Sequence, residues 1–292
     1  MGKKPSRWTF EEAHRNVHVV RMQMTGPKWE QWVLLMSDEH WDNPMCRRDL
    51  LLADHKEALA RDAPILSFGD TFCVMQGKWD KRSSKDDVLP EHQSGNYLDS
   101  LVSTAADWYR PFGSHKVLLG RGNHEQSILK HHETDLTERL AERLRGYGAI
   151  TRAGGYGGWV RFLFYRGNAS RSVRLYYHHG FGGGGPVTKG TIDFNRYAEQ
   201  ISEAEIIVSG HIHRQQAVEI QRQRLTDGNK VETTPVTYIR TATYKDEFRD
   251  GHSGYHNEGG RGPRPLGGYW LRFYRSGSDG QRVCWQTIKT ES

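Results

Sequence analysis

Short apolar runs alternate with amphipathic stretches through the first half of the chain. Val33, Leu34, Leu35 and Met36 lead into Ser37 without a polar interruption, the pattern of a strand covered on both faces. Stretches 64–68 and 115–119 predict two more strands. Between them, 46–62 and 97–109 space their apolar residues as helices do, and 125–145 reads as helical. Stretches 159–166 and 172–178 alternate polar and apolar positions, as a strand with one open face does. A helix at 191–201 and a strand at 205–209 follow. The remainder is strand-like at 214–225, 231–243, 268–275 and 282–288, with Asp227-Gly228 marking a hairpin turn. Residues 1–30 are polar with scattered aromatics (Trp8, Phe10, Trp29) and read as an N-terminal extension packed on the body. Residues 77–95 are too charged for core and read as an inserted loop, and 182–185 read as a glycine loop.

The order β-α-β-α-β followed mostly by strands predicts an α/β layered fold, with two mixed sheets packed inside helices. The 292 residues are expected to form one domain over 1–292, with 225–292 as a mostly β C-terminal part.

Composition narrows the setting. Lys plus Arg is 41 against 35 for Asp plus Glu, a formal charge of +6, which points to an anionic partner without making a DNA-binding case. No helix-turn-helix, zinc-finger or basic-zipper pattern appears. No stretch approaches the ~18 apolar residues of a spanning helix, and no apolar segment follows the N-terminal lysines, so no membrane partner and a cytoplasmic location are expected. Cys46, Cys73 and Cys284 are odd in number and widely separated, which argues against a disulfide framework or a cysteine zinc site and fits a reducing compartment.

The 15 histidines matter by position. Five predicted strand ends are followed at once by polar donors: Asp38-Glu39-His40, Gly69-Asp70, Gly122-Asn123-His124-Glu125, His178-His179-Gly180 and Gly210-His211-Ile212-His213. In α/β sheets that edge is where ligands bind, because the connecting loops converge there. Asp38-x-His40 and His211-x-His213 have i, i+2 spacing, which in extended chain turns both side chains one way, toward one ion. Carboxylate and amide oxygens mixed with imidazole nitrogens suit Mn, Fe, Zn or Co rather than Ca. Seven such groups exceed one tetrahedral ion but suit two ions ~3.5–4 Å apart, with Asp70 as the shared carboxylate. Singly each piece is ordinary: Asp38 or Asn123 could cap a helix, and a lone histidine is more often packed than ligating.

The ordered set D-x-H, G-D, G-N-H-E, H-G and G-H-x-H, spanning 38–213, resembles the calcineurin-like metallophosphoesterase superfamily. The resemblance implies a four-layer α/β/β/α sandwich carrying a dimetal centre. It implies that Asp38, His40, Asp70 and His213 hold one metal and that Asp70, Asn123, His179 and His211 hold the other. His124 would be the catalytic histidine beside the scissile phosphate, donating a proton to the leaving oxygen or hydrogen-bonding a phosphate oxygen. Glu125 would sit behind, orienting an imidazole, and His178 would be packing or a second layer. The implied cofactors are two divalent transition-metal ions, Mn2+ first, with Fe, Zn, Ni and Co as alternatives. A metal-bridging hydroxide would attack phosphorus.

Two departures shape the expected substrate. Cys73 stands where many relatives carry a second Asp, and the Asp-Arg-Gly of the protein phosphatases is missing despite the match at Arg121-Gly122-Asn123-His124-Glu125. Lys78, Lys81 and Arg82 are therefore the expected substrate-phosphate contacts, or else a solvated loop, an ambiguity that Arg47 and Arg48 share. With Trp41 and Trp79 available to stack bases, the expectation is a phosphodiesterase or nuclease-like enzyme acting on nucleic acid or nucleotide. The alternatives are a phosphomonoesterase or a non-catalytic metal-binding scaffold. Ser37 to Pro44, Gly69 to Arg82 and Gly262 to Tyr269 are further similar to phosphoesterases encoded by phages and prophages.

Overall fold

The computed structural model describes residues 7–74, 88–183, 185, 190–248, 260, 262–276 and 282–291. Within them lie thirteen strands and five α-helices. The strands are β1 (Trp8–His14), β2 (Val17–Gln23), β3 (Glu30–Met36), β4 (Ile65–Ser67), β5 (Lys116–Leu119), β6 (Arg152–Ala153), β7 (Gly157–Arg166), β8 (Ala169–His178), β9 (Ile206–Ser209), β10 (Gln216–Leu225), β11 (Val231–Arg240), β12 (Tyr269–Ser276) and β13 (Arg282–Lys289). The helices are α1 (Arg48–Ala60), α2 (Tyr97–Tyr109), α3 (Asn123–His132), α4 (Leu136–Gly146) and α5 (Thr191–Gln200).

Two mixed sheets result, with strand orders β1-β2-β7-β8-β9-β11-β10 and β13-β12-β3-β4-β5-β6. Their facing sides interlock through Val33, Leu35, Phe68 and Phe273 from one sheet and Phe162, Phe164, Leu175 and Val208 from the other. The outer face of the six-stranded sheet is covered by α1, α2 and α4 through Leu51, Leu101, Leu140 and Leu144. The outer face of the other is covered by α5 through Phe194 and Tyr197. The molecule is thus the expected α/β/β/α sandwich. Where both sides are covered, as at β4, β5 and β9, every strand residue is buried, whereas β7 and β8 alternate as expected of strands with one more open face.

The N-terminal stretch differs from expectation. Residues 8–23 are no applied extension but the outer two strands of the seven-stranded sheet, β2 running parallel to β7 with Val20 opposite Phe162. β1 at the edge is mostly exposed beyond Trp8, and β2 buries His18, Val19 and Val20 in succession, so neither shows the clean alternation of a half-buried strand. The predicted single helical stretch at 125–145 divides into α3 and α4, with Glu133 at the break in a left-handed conformation. Thr226 and Lys230 pair across the Asp227-Gly228 hairpin.

Strands β3, β4 and β5 run parallel, as do β8, β9 and β11 in the other sheet. Their C-terminal ends therefore bring successive loops to common edges. No helix among the described residues is long and apolar enough to cross a membrane.

Candidate metal centre

The loops after β3 and β4 run side by side. Asp38 N–H donates to the Gly69 carbonyl at 2.9 Å, and His40 N–H donates to the Asp70 carbonyl at 3.0 Å. The loop after β5 meets them where His124 N–H donates to Asp70 Oδ1 at 3.0 Å. From the second sheet, His211 N–H donates to Asp38 Oδ2 at 3.0 Å, and Gly210 N–H donates to the His179 carbonyl at 2.7 Å. Five strand ends are cross-linked in this way before any metal is considered.

The side chains gather into two adjoining groups, Asp38, His40 and His213 in one and Asp70, His179 and His211 in the other, with ligand atoms within 4.8 Å of one another in each. In the first, His213 Nε2 lies 3.2 Å from both His40 Nε2 and Asp38 Oδ1. In the second, His179 Nε2 lies 3.2 Å from Asp70 Oδ2 and 3.0 Å from Asn123 Oδ1, which His211 Nδ1 approaches to 2.8 Å. All seven residues expected as donors thus converge. His211 and His213 face separate groups rather than one ion, contrary to their i, i+2 spacing in extended chain. Both have positive φ, 71° and 52°, so the chain has left the extended state on which that alternation depends.

The donor set fits divalent cations. Asp38 Oδ1 is buried and faces only the His213 imidazole, without a well-formed hydrogen bond, a costly state for a carboxylate oxygen unless a proton or a cation is shared there. His179 Nδ1 faces the Phe68 carbonyl at 3.0 Å, so Nδ1–H donates there and the Nε2 lone pair points at Asp70 and Asn123, the arrangement of a metal-binding imidazole. Converging lone pairs of this kind must share either protons or cations. Burial lowers the His179 pKa, but the Asp70 carboxylate outweighs it and raises the imidazole to about 10. Burial opposes the charge of Asp70, yet His179, His124 and His40 hold its carboxyl well below the ordinary range. Burial and the neighbouring His124 and His213 push His40 well below the usual imidazole value.

His124 is differently held. Its Nδ1–H donates to the Cys73 carbonyl, leaving Nε2 facing the site, 3.8 Å from Asp70 Oδ2. The Cys73 carbonyl, not Glu125, orients this imidazole. Glu125 instead accepts N–H groups from Asp70 at 3.2 Å, Gly122 at 2.9 Å and Phe72 at 2.9 Å. It pins two donor loops together by their backbones. Burial and the Asp70 charge nevertheless raise its pKa to about 8. His178 points away from the donors. Its Nδ1 accepts from Gly180 N–H at 3.1 Å and lies 2.9 Å from Tyr197 Oη, among Tyr156, Phe181 and Tyr197. It is packing.

Lys78, Lys81, Arg82 and Trp79 lie outside the described residues. Trp41 is no stacking platform for bases: it is 3% exposed and packs against Trp108 and Tyr109. Arg47 pairs with Asp49 at 2.7 Å, and Arg48 lies 4.2 Å over the Trp41 ring.

Several supports had no sequence signal. Glu39, between two donors, turns inward to Lys116 Nζ at 2.9 Å and accepts from Tyr109 Oη at 2.7 Å and Ser67 Oγ at 2.5 Å. Asp42 accepts from Val74 N–H at 2.9 Å and Tyr97 Oη at 3.2 Å. After β11, Thr243 Oγ1 donates to the Asp38 carbonyl at 2.9 Å, and Thr241 Oγ1 lies 2.5 Å from Ser37 Oγ. A sixth strand end therefore contributes to the edge. Cys73 offers a sulfur within 4.8 Å of ring nitrogens of His40 and His124.

No protein-family model and no curated protein matches the chain. Among solved structures it is similar to a protein from Staphylococcus aureus assigned as a 5'-nucleotidase, in complex with alpha-ketoglutarate, at 12% identity and TM-score 0.44 over 90% of this chain. The chain spans 55% of the length of that protein. A conserved uncharacterised protein from Streptococcus pneumoniae, a predicted phosphoesterase, aligns over 89% of this chain and 98% of its own, at 9% identity and TM-score 0.30. Zinc-complexed Vps29 from Entamoeba histolytica aligns over 89% and 99%, at 10% identity and TM-score 0.31.

Proposed function

We propose that the protein is a metal-dependent phosphoester hydrolase with a two-ion centre, acting on phosphodiesters. The observation that carries this reading is the pair of adjoining donor groups, Asp38–His40–His213 and Asp70–His179–His211, with Asn123 Oδ1 between two of the imidazoles. Asp38, His40, Asp70 and His213 would hold one ion; Asp70, Asn123, His179 and His211 would hold the other, with Asp70 shared. Mn2+ is the first choice for this mixture of oxygen and nitrogen donors.

Divalent ions there supply charge to offset a phosphoryl group and lower the pKa of bound water toward ~7. The chain's own residues do the rest. The Cys73 carbonyl fixes the His124 tautomer, so Nε2 is the atom that handles a proton or a phosphate oxygen at the site's mouth. Glu125 keeps the loops carrying Asp70 and Asn123 in register. The burial of Asp38 and Asp70 excludes bulk water from the donors, which strengthens their pull on a cation. The missing Asp-Arg-Gly arginine and the basic balance favour a diester over a protein phosphomonoester.

Turnover of bis-p-nitrophenyl phosphate against p-nitrophenyl phosphate under Mn2+ tests the assignment. Diester cleavage should be the faster. Much faster monoester cleavage would make the protein a phosphatase, and inertness toward both esters with Mn2+, Fe2+, Zn2+, Ni2+ and Co2+ would leave a metal-binding scaffold.

A further inference from the structure

A cavity of about 310 Å3 is lined by Arg214, Gln215, Gln216, Pro263, Arg264 and Pro265. One wall continues the chain directly from His213. The other is fastened to the donor edge: Thr243 bridges to Leu266, Gly267 N–H donates to the Thr243 carbonyl at 3.0 Å, and Thr243 Oγ1 reaches the Asp38 carbonyl at 2.9 Å. Gln215 Nε2 joins the walls by donating to the Gly268 carbonyl at 3.2 Å. The cavity is therefore built onto the same edge as the donors and held there by hydrogen bonds. Arg214 lines it, and its buried Nε has no hydrogen-bond partner, a cost that a shift of the guanidinium toward an anionic ligand would relieve.

We infer that this cavity is a subsite for the nucleotide next to the scissile bond of a single-stranded nucleic acid; the inference rests on the phosphoester reading of the neighbouring donors. Arg214 and Arg264 put two guanidinium groups in the lining, and a guanidinium can meet phosphate oxygens by paired N–H donors, which an ammonium group does not offer. The glutamine side chains carry amide donors and acceptors suited to base edges. The two prolines present flat apolar faces against which a base or sugar can lie. The volume stands at the low end of roughly 300–1,000 Å3 for small-molecule sites, enough for one nucleotide unit. A simple ester with a single phosphate would leave the cavity unfilled, so the subsite selects for a continued phosphodiester chain.

Two measurements on the full chain test this, using Arg214→Gln, Arg264→Gln and the double variant, each checked for folding by its thermal melt. The first is metal-free binding of fluorescein-labelled octathymidylate, followed by anisotropy across a salt series. Each substitution should weaken binding about tenfold, the worth of one charge-assisted hydrogen bond, and should make the salt slope shallower by about 0.7. Arg214→Lys should restore the slope but not the full affinity. The second is the ratio of kcat/KM for a thymidine dinucleotide to that for bis-p-nitrophenyl phosphate under Mn2+, which should fall about tenfold per arginine. An unchanged affinity and slope in the double variant, or equal losses on both substrates, would overturn the subsite. Wild-type protein that binds the strand through these arginines yet cleaves no ester with any metal would retain the subsite and overturn the hydrolase reading.

Discussion

Asp38, His40, Asp70, His211 and His213 hold φ between 45° and 71°, a left-handed conformation that costs non-glycine residues roughly 1–3 kcal/mol each. The reason is local. Each sits just past the end of a buried strand, where the chain must turn at once if its side chain is to face back across the sheet edge. The hydrogen bonds from the Asp38, His40 and His211 amides hold these turns in place. Glycines make room for them. A Cβ on Gly122 would overlap the Asp70 carboxylate and its amide nitrogen, so Gly122→Ala should displace Asp70 and cut bound Mn2+ per chain, as read by elemental analysis. Retention of full metal content would show that the loop can yield. Asp70→Ala should likewise lose metal, whereas His124→Ala should keep it and lose turnover by about 10²–10⁴-fold, the range for a general acid or base. Equal metal loss in both variants would remove the distinction between Asp70 as shared ligand and His124 as proton handler. The residue types and order of the donors were legible, because each follows an apolar run. The split of His211 and His213 between two groups followed from the ordered motif set, whereas the i, i+2 spacing pointed both at one ion, because the left-handed turns that part them leave no sequence signal.

Between strand and helix, the site depends on charges that the chain hides. Lys116 and Glu39 are both fully buried. Burial opposes the charge on Glu39, but Lys116 and His55 hold its carboxyl below the ordinary carboxylate range. The pair ties the loop after β3 to β5, and Tyr109 adds α2. Removing one partner leaves an uncompensated buried charge, so Lys116→Met should cost about 3–5 kcal/mol in urea denaturation. Lys116→Met combined with Glu39→Gln should recover a large part of that loss. A double variant no more stable than Lys116→Met would contradict the pairing. The strands themselves were legible as apolar runs. This support was not, because Glu39 and Lys116 stand 77 positions apart, and Glu39 reads simply as a neighbour of two donors. The outer strands β1 and β2 escaped notice because neither alternates cleanly.

Across the whole molecule, the interior between the sheets is largely apolar, and among the described residues it also holds a buried histidine. His18, on β2, is fully buried, stacks on Phe10, and has no hydrogen-bond partner at either ring nitrogen. Burial, with the Arg152 charge, lowers its pKa to about 4. The unfolded chain takes up this proton near pH 6.5 and the folded chain only near 4, so folding loses free energy as pH falls through that window. His18→Phe should remove up to about 3 kcal/mol of that acid sensitivity. The melting-temperature difference between His18→Phe and wild type should therefore grow in favour of the variant from pH 7 to pH 5. A difference independent of pH would show that His18 is not titrating. At this scale the layered architecture was legible, since buried strands alternating with amphipathic helices leave few other ways to cover both faces of two sheets.

Loops from both sheets should form one site for two neighbouring cations. Anomalous diffraction from crystals soaked in Mn2+ measures this directly. Two peaks about 3.5–4 Å apart are expected, both in contact with Asp70, with Asp38, His40 and His213 around one and Asn123, His179 and His211 around the other. A single peak, or none at these residues, would contradict it.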